Sequence, residues 1–482
     1  MARGESNMSR GVRRLPHKAS RLLDHLRTRG AGVLTVTLPW ALQRRDAAVH
    51  RGAHQSAQQD RAFVFEEMLD FSQQGYWVVL PYAVVREWKG LRVSPIGAVP
   101  QRDRRPRLVV NYSFSEVNDD TVLLAPPEAM QFGRALHRVL KSIVDADARY
   151  GPVYLSKIDI ADGFYRVWLR VADIPKLGVV LPTGHSPLMA FPLTLPMGWV
   201  ESPPYVTVLT ETACDLANAQ LRTRSGPPSW RDAPHRLEAI AATPPPDLHT
   251  AVLTGRVTRS NKQLRSRGRP PVASVDVYVD DFLLMAQTRV KRREVLRSAL
   301  TAIDRVFRPL ESSDPSSQKE PASVKKMLKG DACWSTNKRI LGWDLDTKAC
   351  TLNLPAHRLA RLYELLDLLQ PPRKRISVKL WHHLLGEIRS MSPALPGSRG
   401  LFSVLQESLG RANRNRVRIT TRVRHMAADF RGIADSLTES PTRLQELVPT
   451  APTYVGASDA CGQGMGGVWF HTSPCVVHPP VL

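Results

Sequence analysis

Val275-Asp276-Val277-Tyr278-Val279-Asp280-Asp281-Phe282-Leu283-Leu284-Met285 sets two adjacent carboxylates between apolar runs rich in β-branched residues. Such runs favour extended backbone, and the acidic pair between them marks a tight turn. The stretch therefore predicts a β-hairpin with Asp280 and Asp281 at its tip. The plainer alternative is a solvated Asp-Asp turn joining two core strands. Two neighbouring carboxylates repel each other unless positive charge stands between them. Hard oxygen donors suit Mg²⁺, with Mn²⁺ as the alternative.

The chain of 482 residues is long enough for two to four domains with real cores. Lys+Arg 67 against Asp+Glu 44 gives a formal charge of +23. That surplus favours a polyanion partner, because each neutralised phosphate releases condensed counterions. An anionic membrane is the competing partner, but no apolar stretch reaches the length of a span. The N-terminus lacks a charged-then-apolar signal pattern, so an intracellular protein of cytoplasm or nucleus is expected, neither secreted nor membrane-bound. Cys214, Cys333, Cys350, Cys461 and Cys475 are odd in number and form no C-x-x-C pair. Reduced thiols are expected, without a disulfide framework or zinc knuckle.

Outward from the hairpin, two more blocks carry chemistry. Tyr154-Leu155-Ser156-Lys157-Ile158-Asp159 reads as a strand ending in a carboxylate, and a helix is expected to start soon after, in Ile160-Ala161-Asp162-Gly163-Phe164-Tyr165. Leu195-Pro196-Met197-Gly198-Trp199-Val200-Glu201-Ser202-Pro203 reads as a Pro-x-Gly loop before a helix over 204–219. Earlier, Phe63–Leu69 suggests a helix and Tyr76–Leu80 a strand. Val93–Pro100 and Arg105–Ser113 then suggest a hairpin around a basic turn, which suits a triphosphate.

These blocks, in this order, resemble reverse transcriptases of retroelements, most closely those of LTR type. Tyr278-Val279-Asp280-Asp281 resembles the catalytic hairpin, and Asp159 through Phe164 the D-x-x-D-[AG]-[FY] motif of the palm. The resemblance implies an α+β right-hand polymerase with fingers, palm and thumb. It makes Asp159, Asp280 and Asp281 the catalytic metal ligands, with the backbone carbonyl of Ile160 as a further ligand, for two Mg²⁺ ions. Arg107 would meet the nucleotide phosphates; Asn111 stands where the family usually has Asp. Asp162, Gly163, Met197, Gly198 and Tyr278 would complete the nucleotide site. Phe164 fills the aromatic slot that excludes a ribose 2′-hydroxyl. Met197 replaces the Gln or Phe common at its position. Lys325 and Lys326 are candidates for the proton donor to pyrophosphate, against a plain solvated pair. Leu341-Gly342-Trp343 resembles the turn of the primer grip. Asp459 matches the first carboxylate of an RNase H fold; the later acidic ligands are absent, so RNase H activity is not expected.

The implied organisation is a basic, poorly ordered arm over 1–60, fingers and palm over 61–335, primer grip with helical thumb or connection over 336–445, and a truncated RNase H-like start over 450–482. The arm could hold nucleic acid or be a solvated tail. The separation of 121 between Asp159 and Asp280 exceeds the usual family spacing, and a basic, Pro-rich insertion over 221–271, expected to be flexible, accounts for the excess. Amphipathic helices are expected around Leu359–Leu369 and after a Ser377 N-cap. The adjacent His382 and His383 diverge along a helix and make no metal site. The resulting expectation is an RNA-directed DNA polymerase with RNA template, DNA primer and dNTPs as partners. The alternatives are an inactive remnant that only binds nucleic acid, and an RNA-dependent RNA polymerase, which Phe164 disfavours. Oligomeric state is not legible.

Overall fold

The computed structural model describes residues 8–101, 104–124, 132–184, 186–223, 234–245, 269–308, 320–395, 398–448, 454–461 and 464–471. Most of the expected insertion over 221–271 therefore lies outside the described residues, as does much of 450–482. The fold mixes helices and sheets, and the chain divides into two compact units, Met1–Ala135 with Asp147–Ser335, and Leu136–Ala146 with Thr336–Leu482.

The first unit contains strands β1 (Trp77–Pro81), β2 (Val93–Gln101), β3 (Arg104–Val110), β4 (Tyr154–Asp159), β5 (Gly178–Val180), β6 (Leu188–Pro192), β7 (Ala273–Tyr278) and β8 (Asp281–Ala286). Among the described residues, one sheet has the order β1-β6-β5-β2-β3 and another the order β4-β8-β7. Every pairing in the second sheet is antiparallel. Its middle strand β8 is buried from Phe282 to Ala286, which is why it reads as an unbroken apolar run. Alternation along the strand splits its two faces. Phe282, Leu284 and Ala286 join the main core, against the helices Ser202–Arg222 and Arg289–Phe307. Those helices are fixed by polar contacts as well. Asn218 Nδ2 donates to Val275 O at 2.7 Å, and Ser298 Oγ donates to Ala217 O at 2.9 Å. Asp281 belongs to the opposite face, away from this core.

The N-terminal segment departs from expectation. Far from a poorly ordered arm over 1–60, its described residues include a short 3-10 turn (Arg10–Arg14) and the helices Ser20–Arg29, Leu42–Arg51 and Gln55–Gln59. Val12, Leu23, Leu26, Val33, Trp40 and Val49 are buried in the same core as one face of the β4-β8-β7 sheet. Ala31 N–H donates to Trp168 O at 2.7 Å, and Val33 N–H to Asp173 Oδ2 at 3.2 Å. The buried pair Arg92–Asp120 is tied in as well, with Thr37 N–H donating to Asp120 Oδ1 at 2.7 Å. The reason is spacing: apolar residues recur on one helical face while most arginines between them reach water, the exception being the buried Arg45, whose Nε donates to Trp40 O at 2.9 Å. Averaged charge conceals that pattern.

The second unit holds β9 (Asn337–Ile340), β10 (Trp343–Asp346), β11 (Thr351–Asn353), β12 (Arg375–Ser377), β13 (Arg416–Arg418), β14 (Thr442–Arg443), β15 (Tyr454–Cys461) and β16 (Gly464–His471). Its described strands form the sheet β14-β11-β10-β9 and the pairs β12-β13 and β15-β16. Helices Ala356–Asp367, Val378–Met391, Arg399–Gly410 and Thr421–Glu439 enclose a separate core around Leu366, Trp381, Ile388 and Phe430. Ser377 caps its helix as its position suggests, its Oγ accepting from Leu380 N–H at 3.2 Å.

Candidate active site

The hairpin turn is two residues long. Tyr278 pairs with Asp281, leaving Val279 and Asp280 at the tip. Val279 has φ 54°, a left-handed conformation that a β-branched residue rarely adopts. Its carbonyl accepts from Thr210 Oγ1 at 2.5 Å, so the helix Ser202–Arg222 pins the strained tip. On the other side of β8, Asp159 is the direct partner of Asp281. The register thus brings together carboxylates far apart in sequence. Ile160 N–H donates to Asp280 O at 3.2 Å and Ser323 N–H to Asp159 O at 2.8 Å, so the strand end and the tip are held by backbone.

No regular helix follows Asp159, contrary to the expectation. The chain makes turns instead, with Asp162 at φ 55°, then a single 3-10 turn over Phe164–Arg166. The buried Arg166 explains this: its Nε donates to Ala161 O at 2.7 Å, and Nη2 to Glu320 O at 2.9 Å. Tyr76 hydroxyl donates to Asp162 Oδ2 at 3.0 Å, and its ring stacks on Tyr165 with centroids 4.6 Å apart. Burial, reinforced by the Asp162 charge, pushes both tyrosines well above the usual phenol range.

The turns, the hairpin tip and the Pro-x-Gly loop enclose a cleft of about 860 Å³. Asp159, Ile160, Asp162, Gly163, Phe164, Tyr278, Asp280 and Asp281 line it, together with Arg107, Met197 and Lys326. Arg107 Nη2 donates to Met197 Sδ at 2.9 Å. Gly198 stands behind the wall, with φ 100°, where an added Cβ would meet Val110 O at 2.5 Å. Asn118 latches the same loop: Nδ2 donates to Gly198 O at 3.0 Å, and Oδ1 accepts from Val200 N–H at 3.0 Å. The helix after this loop begins at Ser202, within the motif, and runs to Arg222.

Two lysines neutralise the carboxylates. Lys326 Nζ contacts Asp159 Oδ2. Lys157 Nζ stands 3.1 Å from Asp281 Oδ1 and 3.5 Å from Asp159 Oδ1. Both lysines of the 325–326 pair are exposed, and Lys326 also lines the cleft, where its ammonium reaches Asp159. Burial, helped by Lys157, lowers the Lys326 ammonium from its ordinary value. Asp280 is raised, first by burial and then by the Asp281 charge. The sequence reading missed Lys157, though its position two residues before Asp159 on one strand puts both on one face.

The donors suit a hard divalent cation. Asp159 is 3% exposed and its Oδ1 receives no hydrogen bond. The Asp281 charge still raises the Asp280 carboxyl, which Lys157 offsets only in part. Among the described residues, however, no three His, Cys, Asp or Glu side chains are gathered as a ready-made metal site.

Leu341 and Gly342 belong to the second unit, where φ 50° and 81° make the two-residue turn between β9 and β10. Trp343 follows, fully buried, with Arg358 over its ring at 5.0 Å. Asp459 lies in β15 opposite Gly466. No helix among the described residues is long and apolar enough to cross a membrane.

A scan against protein-family models and a search of curated proteins return no match. Similar solved structures exist. One is the foamy viral protease-reverse transcriptase dRH in complex with double-stranded DNA, at 14% identity and TM-score 0.49, covering 97% of this chain and 64% of that one. Another is the foamy viral protease-reverse transcriptase in complex with RNA/DNA hybrid, at 14% identity and TM-score 0.47, covering 91% of this chain and 45% of that one. The same protein in complex with dsDNA gives 13% identity and TM-score 0.49, covering 97% and 75%. This chain therefore spans less than two thirds of the length of the first of these proteins.

Proposed function

We propose that this chain is an RNA-directed DNA polymerase of a retrotransposon, transferring a nucleotide from a dNTP to a primer 3′-hydroxyl. One observation carries the reading: the β4-β8-β7 register sets Asp159, Asp280 and Asp281 at the head of a cleft that Arg107, Phe164 and Met197 also line. Two-ion catalysis needs hard carboxylates from separate elements beside a pocket with a fixed cation, and these residues supply both.

Asp159, Asp280 and Asp281 would hold Mg²⁺, which when bound supplies Lewis-acid stabilisation of the charge that develops on phosphate and attacking oxygen. The residues themselves do the rest. Arg107 offers a guanidinium to the triphosphate. Phe164 bounds the sugar and excludes a 2′-hydroxyl. Lys326 releases Asp159 and gives a proton to the departing pyrophosphate; its lowered pKa favours that transfer. The Asn118 latch holds the Pro-x-Gly loop where the templating base and nucleotide meet. Leu341-Gly342-Trp343 would contact a primer strand through its backbone. RNA template and DNA primer–product duplex are the partners, consistent with the +23 charge.

Primer extension tests this: oligo(dT) on poly(rA), with dTTP and Mg²⁺, beside the double variant Asp280→Asn/Asp281→Asn. Extension by the wild type that disappears in the variant is the expected result. A folded wild type that binds the duplex without extending it would leave a nucleic-acid-binding protein in place of a polymerase.

A further inference from the structure

Lys157 does something that the polymerase reading does not require. On β4 it shares a face with Asp159, and the β4–β8 register places that face beside Asp281. Its ammonium stands between two carboxylates of opposite strands, 3.1 Å from Asp281 and 3.5 Å from Asp159. The side chain is only 20% exposed, so water screens these contacts weakly. Its backbone N–H donates to Asp331 O at 3.0 Å, and its strand is hydrogen-bonded to β8, so the residue has little freedom to leave. Lys326 differs: it reaches Asp159 from the short helix Val324–Met327 and is half exposed.

We propose that Lys157 is a built-in counter-cation that competes with divalent metal for Asp159 and Asp281, so that free metal binds weakly and metal arriving with a nucleotide triphosphate binds well. The proposal rests on the polymerase reading. The physical argument is charge balance. Asp159, Asp280 and Asp281 face the ammoniums of Lys157 and Lys326, with the Arg107 guanidinium also acting on Asp280, so little net negative charge is left to attract a dication. A triphosphate brings negative charge that satisfies the lysines as the metal satisfies the carboxylates. Without metal, the fixed ammonium keeps Asp159 and Asp281 from repelling one another across the sheet.

The test is Mn²⁺ binding, read from the electron paramagnetic resonance signal of free Mn²⁺. Wild type is compared with Lys157→Met, Lys157→Gln and Lys157→Arg, with Asp280→Asn/Asp281→Asn as the background for other acidic groups. Without nucleotide, the Met and Gln variants should bind Mn²⁺ at least tenfold more tightly than wild type. Lys157→Arg keeps the charge and should match wild type. Adding dTTP should narrow the gap. In chelator-treated buffer the neutral variants should melt at lower temperature, and Mn²⁺ should raise their melting temperature more than it raises that of wild type. If the Met variant does not fold, the Gln and Arg variants decide. Equal Mn²⁺ affinity in all forms would overturn the role of Lys157 alone. No Mn²⁺ binding above background in any form would overturn both this role and the two-ion reading.

Discussion

Gly198→Ala should damage this fold more than its size suggests, and the structure separates two reasons. The first is backbone. Gly198 has φ 100°, where a side chain costs about 1–2 kcal/mol. The second is space. An added Cβ would lie 2.5 Å from the carbonyl oxygen of Val110, a contact that only backbone movement relieves. Overpacking of that kind costs roughly another 1–3 kcal/mol. Together these predict a loss of about 3 kcal/mol. The movement would also stretch the two hydrogen bonds from Asn118 that fix the loop. Two glycines serve as controls. Gly75 has φ 73° but nothing within 4 Å of an added Cβ, so Gly75→Ala should lose only about 1 kcal/mol. At Gly163 the φ is ordinary and the Cβ would touch Asp280 Cβ at 3.5 Å, so Gly163→Ala should stay within about 0.5 kcal/mol of wild type. Urea denaturation followed by tryptophan fluorescence gives all three values. A Gly198→Ala protein no less stable than Gly75→Ala would refute the reasoning, because the Val110 contact would then cost nothing.

Other expectations follow from features of the same unit. Asp120→Ala strips a buried Arg92 of its partner and should cost about 3–5 kcal/mol by the same denaturation assay. A chain beginning at residue 61 loses Leu23, Leu26, Val33 and Trp40 from the core, and should show no cooperative melting of the first unit by circular dichroism. Asp280→Asn should raise the melting temperature of metal-free protein at neutral pH. Because burial and Asp281 raise the Asp280 carboxyl, its charge disfavours the fold; the penalty is absent below the unfolded-state pKa and grows as pH rises through the folded one. The advantage of the Asn variant should therefore vanish in acid, and an advantage that persists there would point to packing instead of charge.

The hairpin and its strand partner were legible because they obey strong local rules. β-branched runs around an acidic pair leave few alternatives, and the carboxylate of Asp159 ends a run of the same kind. Strands β7 and β8 match the quoted stretch almost residue for residue. The turn after Asp159 was misread as the start of a helix, since Ala161 through Tyr165 contains no proline to forbid one. What prevents it is tertiary: Arg166, buried at 2% exposure, draws the local carbonyl groups toward itself. The order of the N-terminal segment is hidden by averaging, because its arginines dominate the charge while the apolar residues between them are spaced so that they reach the core. The role of Lys157 is not legible in the sequence, because it depends on a partner strand more than a hundred residues away.

That distance also has a consequence in time. Asp159 and Asp281 meet only when β4 pairs with β8, which closes a loop longer than many whole domains. Closure entropy grows only logarithmically with length, so an insertion inside that loop adds well under about 1 kcal/mol to the equilibrium cost. Its effect on the rate is different. Contacts between such remote segments form late, after local helices and hairpins are in place. On a ribosome, β4 emerges long before its partner exists. During that interval the segment of Lys157 and Asp159 has no β8 to pair with, and the acidic tip is still unmade. The cluster of Asp159, Asp280 and Asp281 is thus among the last parts of the first unit to form, and a nascent chain lacks it until β8 has been synthesised.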